Sequence, residues 1–245
     1  INIKFSHAVA NAKGYRKVNS ATIGKLNKDK SGYEILENIS CDCICVSGHW
    51  TPTVHLSSQS GNKLKFEDKI NAFIPNQSRQ NETTVGSANG SFTLKQSLEE
   101  GFGKGFDLSS KLTKKNQKIP TPTSNEKSYD KHDKFWCMPL PKNKNYKRCV
   151  DFQNDVYVSD IELAVREGFR SIEHVKRYTT LGMATDQGKT SNLNGLQLVS
   201  KIENKIVPEV GHTTFRPPYT PVTIGAIVGR EVGKYYRPTR KPPMH

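Results

Sequence analysis

The sequence predicts an α/β fold, and three observations carry that prediction. The N-terminal part alternates like strands and leads into a short apolar run closed by a glycine. Residues 151–205 carry apolar positions at helical spacing. Residues 206–245 are broken by prolines often enough to forbid long helices, which predicts an extended tail.

The strands come first. Arg16–Leu26 (RKVNSATIGKL) alternates loosely, and Tyr33–Ile39 (YEILENI) follows after a turn at Ser31-Gly32. Next comes Cys41-Asp-Cys-Ile-Cys-Val46, bounded by Ser47-Gly48. A continuous short apolar run suits a central strand of an α/β sheet. Ligands in such sheets bind beyond the carboxyl ends of strands. Ser47-Gly48-His49-Trp50 sits at that place, and Gly48 would let a backbone approach a ligand closely. Cys41, Cys43 and Cys45 share one strand face. Zinc sites usually space their ligands through a turn, so these thiols are expected to be small buried apolar groups. Five cysteines at low density fit a reducing cytoplasm.

Residues 57–84 are polar and turn-rich. Val85-Gly-Ser-Ala-Asn-Gly90 then feeds a helical pattern over Ser91–Phe102, with Phe92, Leu94, Leu98 and Phe102 apolar and Thr93 as cap. A glycine-rich turn at a helix start can offer backbone N–H groups to phosphate, or serve the turn sterically. Together with Gly48, the residues Gly86, Ser87, Ala88 and Asn89 are the candidates for lining a dinucleotide.

Residues 106–148 read as a basic linker, interrupted by an apolar patch at Phe135-Trp-Cys-Met138 that should dock on a neighbouring surface. The net charge is +14. The lysines crowd into Lys111–Lys118 and Lys142–Arg148, beside prolines and without a stacking motif. Solvated linker charge is therefore expected, not nucleic-acid binding. No apolar run approaches the ~20 residues that cross a bilayer, and Ile1–Val18 has no charged-then-apolar leader pattern.

In the second half, Ser159-Asp-Ile-Glu162 reads as a capping box. Ile161, Leu163, Ala164, Val165 and Phe169 form an apolar side, and Gly168 ends that helix. Ser171 starts a second helix, with Ile172 and Val175 facing one way, which ends at Gly182-Met183. A third runs from about Thr190 to Ile202 with Leu193, Leu196, Val199 and Ile202 in phase. A unit this small is marginal alone and should lean on its neighbours.

Several long blocks closely resemble the alpha subunit of heterotetrameric sarcosine oxidase. They are Cys149–Val156, Arg166–Thr179, Gly182–Asn192, Gly211–Val222 (GHTTFRPPYTPV) and Val46–Leu56 (VSGHWTPTVHL). The resemblance implies that 1–105 is the end of a dinucleotide-binding, disulfide-reductase-like domain. It implies a linker over 106–148, a small all-α domain over 149–205, and a connector over 206–245 into an aminomethyltransferase domain. It implies oxidative demethylation of sarcosine, in which a flavin (FAD or FMN) takes a hydride and oxygen reoxidises a flavin. NAD is a further cofactor, and tetrahydrofolate takes the one-carbon unit. Beta, gamma and delta subunits are the implied partners. The amine-oxidising site is mainly the work of the beta subunit, so no catalytic residue is expected in this chain.

The helical unit also resembles iron–sulfur domains of related amine and opine dehydrogenase subunits. The four ligand positions carry Asp151, Gln153, Asp186 and Ser191 here, so no cluster is expected. Asp186 and Gln187 are expected to cap the following helix instead. A metal at Asp151, Asp186 and His174 is a weaker alternative than solvated carboxylates. His7, His49, His55, His132, His174, His212 and His245 are scattered and form no catalytic pattern. Two other functions compete: an alpha subunit of a related methylated-amine or amino-acid dehydrogenase, and a non-enzymatic basic adaptor.

Overall fold

A computed structural model of the chain describes residues 2–48, 50–114, 120–126, 135–140, 146–236 and 241–244. His49, His132, His245 and most of the two lysine runs lie outside the described residues.

Strands β1 (His7–Gly14), β2 (Val18–Leu26) and β3 (Tyr33–Ser40) form an antiparallel meander in that order. The second and third are the two strands read from the sequence. β2 lies in the middle, where Ala21 and Thr22 are buried. The Thr22 hydroxyl donates to Asn38 Oδ1 across the β2–β3 ladder at 2.6 Å. Gly24 is required by packing, since a Cβ there would sit 2.6 Å from the ring of Tyr33.

The expected central strand at Cys41–Val46 does not form. The Cys41 N–H still donates to Asn19 at 3.1 Å, and the chain then leaves the ladder. Among the described residues the run pairs with no strand. Val46 is 71% exposed. The sheets described are all antiparallel, so the molecule is mixed α/β without the parallel sheet that the run suggested. Cys43 and Cys45 are exposed rather than buried. Their sulfurs lie 4.0 Å apart, and contact with Cys45 pushes the Cys43 thiol above its ordinary value.

A short helix α1 (His55–Gln59) precedes the hairpin β4 (Lys63–Glu67) and β5 (Ala72–Gln77). Phe66 and Phe73 meet edge to face across it at 5.3 Å. Helix α2 spans Leu94–Thr113. Thr93 caps it as read, accepting from the Gln96 N–H at 3.2 Å while Gln96 reaches back to the Thr93 N–H. The helix continues through residues 106–113, which the sequence assigned to linker. Phe102 and Phe106, one turn apart, stack at 6.2 Å and carry it across Gly101, Gly103 and Gly105. No α2 residue is buried, so it is a surface helix.

The hydrophobic core lies in the second half. A small hairpin, β6 (Cys149–Asp151) with β7 (Val156–Tyr157), leads into α3 (Val158–Arg166), α4 (Ile172–Thr179), α5 (Asn192–Glu203) and α6 (Val207–Val210). Ile161, Val175, Leu181 and Val199 are wholly buried there. The hairpin makes this unit α+β rather than purely helical. Its start also differs from the sequence reading. The Asp160 carboxylate accepts from the Tyr157 N–H at 2.8 Å, so the cap is Tyr157 and Ser159 lies inside the first turn. Gly168 ends α3 as expected, at φ +96, with Phe169 N–H closing back on Ala164 at 3.0 Å. α4 begins after Ser171 but ends at Thr179, because Thr180 takes the left-handed turn (φ +63) before Gly182 is reached. In α5, Leu196 and Val199 face the core, whereas Ile202 is 39% exposed on the last turn.

The unit leans on its neighbours. Phe66, Phe73 and Cys137 pack on its core, so the Phe135–Met138 patch is docked. The tail is not simply extended. It holds α6, then α7 (Ile224–Val228) and a short 3-10 stretch at Arg230–Tyr236. Among the described residues no helix is long and apolar enough to cross a membrane. Ile161 has no exposed surface, so Ile161→Ala should cost about 3 kcal/mol, from lost burial and the cavity left behind. Urea unfolding followed by far-UV circular dichroism reads that loss.

Candidate functional site

Two of the sequence blocks that carry the resemblance, Val46–Leu56 and Gly211–Val222, meet at one place. Residues 211–219 form a strap laid across α1, α5 and the loop between α4 and α5. The Thr214 N–H donates to Glu173 at 2.6 Å. The Lys189 ammonium donates to the Tyr219 carbonyl at 2.8 Å and lies 4.3 Å over its ring. The Gln187 side-chain amide donates to the Pro218 carbonyl. Phe215 stacks on His55 at 3.9 Å, and His212 meets Phe73 edge-on at 5.4 Å.

Beneath the strap lies a cavity of about 60 Å³, walled by Val54, Phe73, Leu196 and Phe215. Three buried polar residues also line it: His55 (4% exposed), Asn192 (7%) and Thr213 (1%). Both ring nitrogens of His55, Asn192 Oδ1 and Thr213 Oγ1 have no hydrogen-bond partner among the described residues. Burial, and after it the Lys189 ammonium, push His55 down to about 4. The Gln187 backbone pulls the other way without completing a hydrogen bond. Near neutral pH the imidazole is therefore uncharged. The scattered histidines of the sequence hid this arrangement, because the strap brings His55 and Thr213 together only in the fold.

A second polar centre joins Asp151, Gln153 and Ser191, three of the four positions that the resemblance aligned with cluster ligands, and the fourth, Asp186, holds the turn before Ser191. Asp151 is 2% exposed. Its Oδ1 accepts the N–H groups of Gln153 (2.9 Å) and Asn154 (3.2 Å). Its Oδ2 accepts the Gly182 N–H (2.8 Å) and the Ser191 hydroxyl (3.3 Å). Gln153 accepts from Thr185 at 3.0 Å. Asp186 accepts the Gly188 N–H at 2.9 Å and the hydroxyl of Thr190 at 2.8 Å. Partial burial pushes the Asp186 carboxyl up, but these hydrogen bonds and Lys189 outweigh it and leave it below its ordinary value. Asp186 thus holds the turn before α5, and the cap position itself belongs to Ser191. Gly182 (φ +67) and Gly188 (φ +74) leave room for Asn192, which a Cβ on either would strike at about 2 Å. His174 is exposed on α4. Asp151, Asp186 and His174 form no metal site, and among the described residues no group of three metal-ligating side chains gathers.

The glycine-rich turn forms a 3-10 helix at Gly86–Asn89, with Gly86 at φ +68. Several of its donors are already engaged. Glu100 of α2 accepts the Gly86 N–H (2.9 Å), the Asn89 amide (2.5 Å) and the Ser91 hydroxyl (2.7 Å). Gly48 is exposed, and nothing lies within 4 Å of where its Cβ would be.

Residues 145–230 match the family profile of the sarcosine oxidase A3 domain. The sarcosine oxidase subunit alpha of Rhizobium meliloti is 38% identical over 215 residues, and that of Corynebacterium sp. strain P-1 is 33% identical over 241. The chain belongs with the sarcosine oxidase alpha subunits. The two matches cover 85% and 94% of it, but only 21% and 24% of those relatives. This alpha-subunit relative thus spans about a quarter of their length or less. A solved L-proline dehydrogenase from P. horikoshii shares its fold, with a TM-score of 0.60 over 91% of this chain and 44% of that one, at 19% identity.

Two outcomes follow for this alpha-subunit relative. Asp151→Ala strands the buried Gly182 N–H and Ser191 hydroxyl, and should cost on the order of 3 kcal/mol in denaturant unfolding. His55 should titrate near the value of about 4 instead of its ordinary 6.5, as read by ring-nitrogen NMR. Because the folded value is the lower, the unfolded chain takes up the proton first. The stability tied to neutral His55 is therefore complete above about pH 6.5 and is lost as pH falls through about 4.

Proposed function

We propose that this chain is an interior portion of a sarcosine oxidase alpha subunit, and that it supports flavin-dependent oxidative demethylation of sarcosine with one-carbon transfer to tetrahydrofolate. The observation that carries this reading is the 38% identity over 85% of the chain to the subunit from Rhizobium meliloti. In this reading the chain is scaffold. Its helical unit and strap hold neighbouring domains in register, and beta, gamma and delta subunits complete a cytoplasmic complex. Oxygen is the electron acceptor.

In the intact complex, NAD and a flavin supply hydride acceptance when bound. Gly48, Gly86, Ser87, Ala88 and Asn89 are this chain's contribution to the dinucleotide side. A phosphate on the Gly86 N–H does not fit, because the Glu100 carboxylate already takes that donor and would repel an anion. The contribution of the turn is instead close backbone approach, which glycine permits. The related dehydrogenase reading draws support from the fold shared with the proline dehydrogenase. Against its cluster-bearing members stand Asp151, Gln153, Asp186 and Ser191, since carboxylate, amide and hydroxyl groups do not replace four thiolates.

The test is a chimera. The matching segment of the Rhizobium meliloti alpha subunit is replaced by residues 1–245, and the assembled complex is assayed with sarcosine. Sarcosine-dependent peroxide formation within about tenfold of the parent is expected, with no stoichiometric iron or acid-labile sulfide. An assembled complex that has lost sarcosine turnover, or that has gained a cluster, would overturn the assignment.

A further inference from the structure

We propose that the cavity beneath the 211–219 strap is a binding site for a small cluster of ordered water, which bridges the His55 imidazole to the Thr213 hydroxyl and so joins the strap to α1. The inference stands apart from the enzymatic reading and rests on the geometry of the seam.

Three residues that line this space, His55, Asn192 and Thr213, carry four buried polar atoms that no protein group among the described residues answers. Native interiors rarely leave such atoms unanswered, because each then carries its full desolvation penalty. The chemistry of the walls selects the occupant. A cation is disfavoured, since the Lys189 ammonium stands beside the imidazole and no carboxylate lines the space. An anion is disfavoured because the imidazole is neutral, while Lys189 is turned to the Tyr219 carbonyl and ring. A cofactor or metabolite is excluded by size, for ligand pockets run to roughly 300–1,000 Å³, and this space is about 60 Å³. An apolar occupant would leave the polar atoms stranded. Water needs only about 10–15 Å³ of such volume per molecule and two to four polar partners. A neutral imidazole offers one donor and one acceptor, and the threonine hydroxyl offers both, so water can bond to each in turn.

The arrangement has a structural consequence. Apart from the ring contacts of Phe215 and Tyr219 with His55 and of His212 with Phe73, the direct anchors of the strap are polar and reach α4 and the loop before α5. Towards α1 the polar connection would run through solvent held in the seam. His55 and Thr213 come from the two sequence blocks that meet here, and the water would be their common partner.

The test uses the full-length protein. Thr213→Val keeps the shape and removes the hydroxyl. If water bridges the seam, the variant loses that partner and its Tm should fall by about 2–4 °C, while Thr213→Ser, which keeps the hydroxyl, should fall less. If the hydroxyl is unanswered, its removal relieves a penalty; an unchanged or raised Tm for the valine variant overturns the proposal. Should the valine variant fail to fold, a high-resolution crystal structure of the wild-type protein decides. Water density within hydrogen-bond distance of both the His55 ring and Thr213 Oγ1 is expected. A collapsed cavity, an organic molecule, or a side chain turned in to fill the space refutes it.

Discussion

The second half of the molecule is organised around one buried carboxylate. Asp151 accepts four hydrogen bonds from three separate parts of the chain: its own hairpin turn, the loop at Gly182, and Ser191 at the start of α5. A charge with 2% exposure is tolerable only when donors replace its lost hydration, and here they do. The geometry in turn dictates neighbouring choices. Gly182 must bring its N–H to the carboxylate in a left-handed turn, and Asn192 then fills the space against Gly182 and Gly188. Leu181, wholly buried, follows into the core, where Gly195 makes room for it.

The centre joins a hairpin, a loop and a helix start. Asp151 ties the same three elements through hydrogen bonds. Such a network depends on every member, because a partly satisfied buried polar group is costlier than none.

The strap shows how a proline-rich segment can be structural without regular secondary structure. Prolines leave few backbone donors, so 211–219 is fastened mainly by side chains that reach its carbonyls, by the Thr214 N–H, and by rings stacked on His55 and Phe73. The loop that carries Asp186, Gln187 and Lys189 serves both centres. Asp186 shapes the turn before α5, and Gln187 and Lys189 hold the strap above the His55 cavity. The two polar centres are therefore mechanically linked through a few consecutive residues.

What the sequence determined by itself was local. Period and capping located β2, β3, the start of α2, and the cores of α3, α4 and α5, because those signals arise from side chains only a few residues apart. The resemblance to sarcosine oxidase alpha subunits was likewise legible, since it rests on linear blocks. Tertiary structure decided the rest. Cys41–Val46 has strand composition, but a strand needs a partner edge, and the chain leaves the ladder after Cys41. Residues 106–113 look like linker by composition, yet the Phe102–Phe106 stack extends α2 through them. At the glycine-rich turn the sequence left phosphate binding and a steric role both open, and it could not show that Glu100, fourteen residues on from Gly86, takes the Gly86 N–H. His55 and Thr213 are separated by most of the chain, so no local pattern could pair them. Only the folding of the strap over α1 sets them around one cavity.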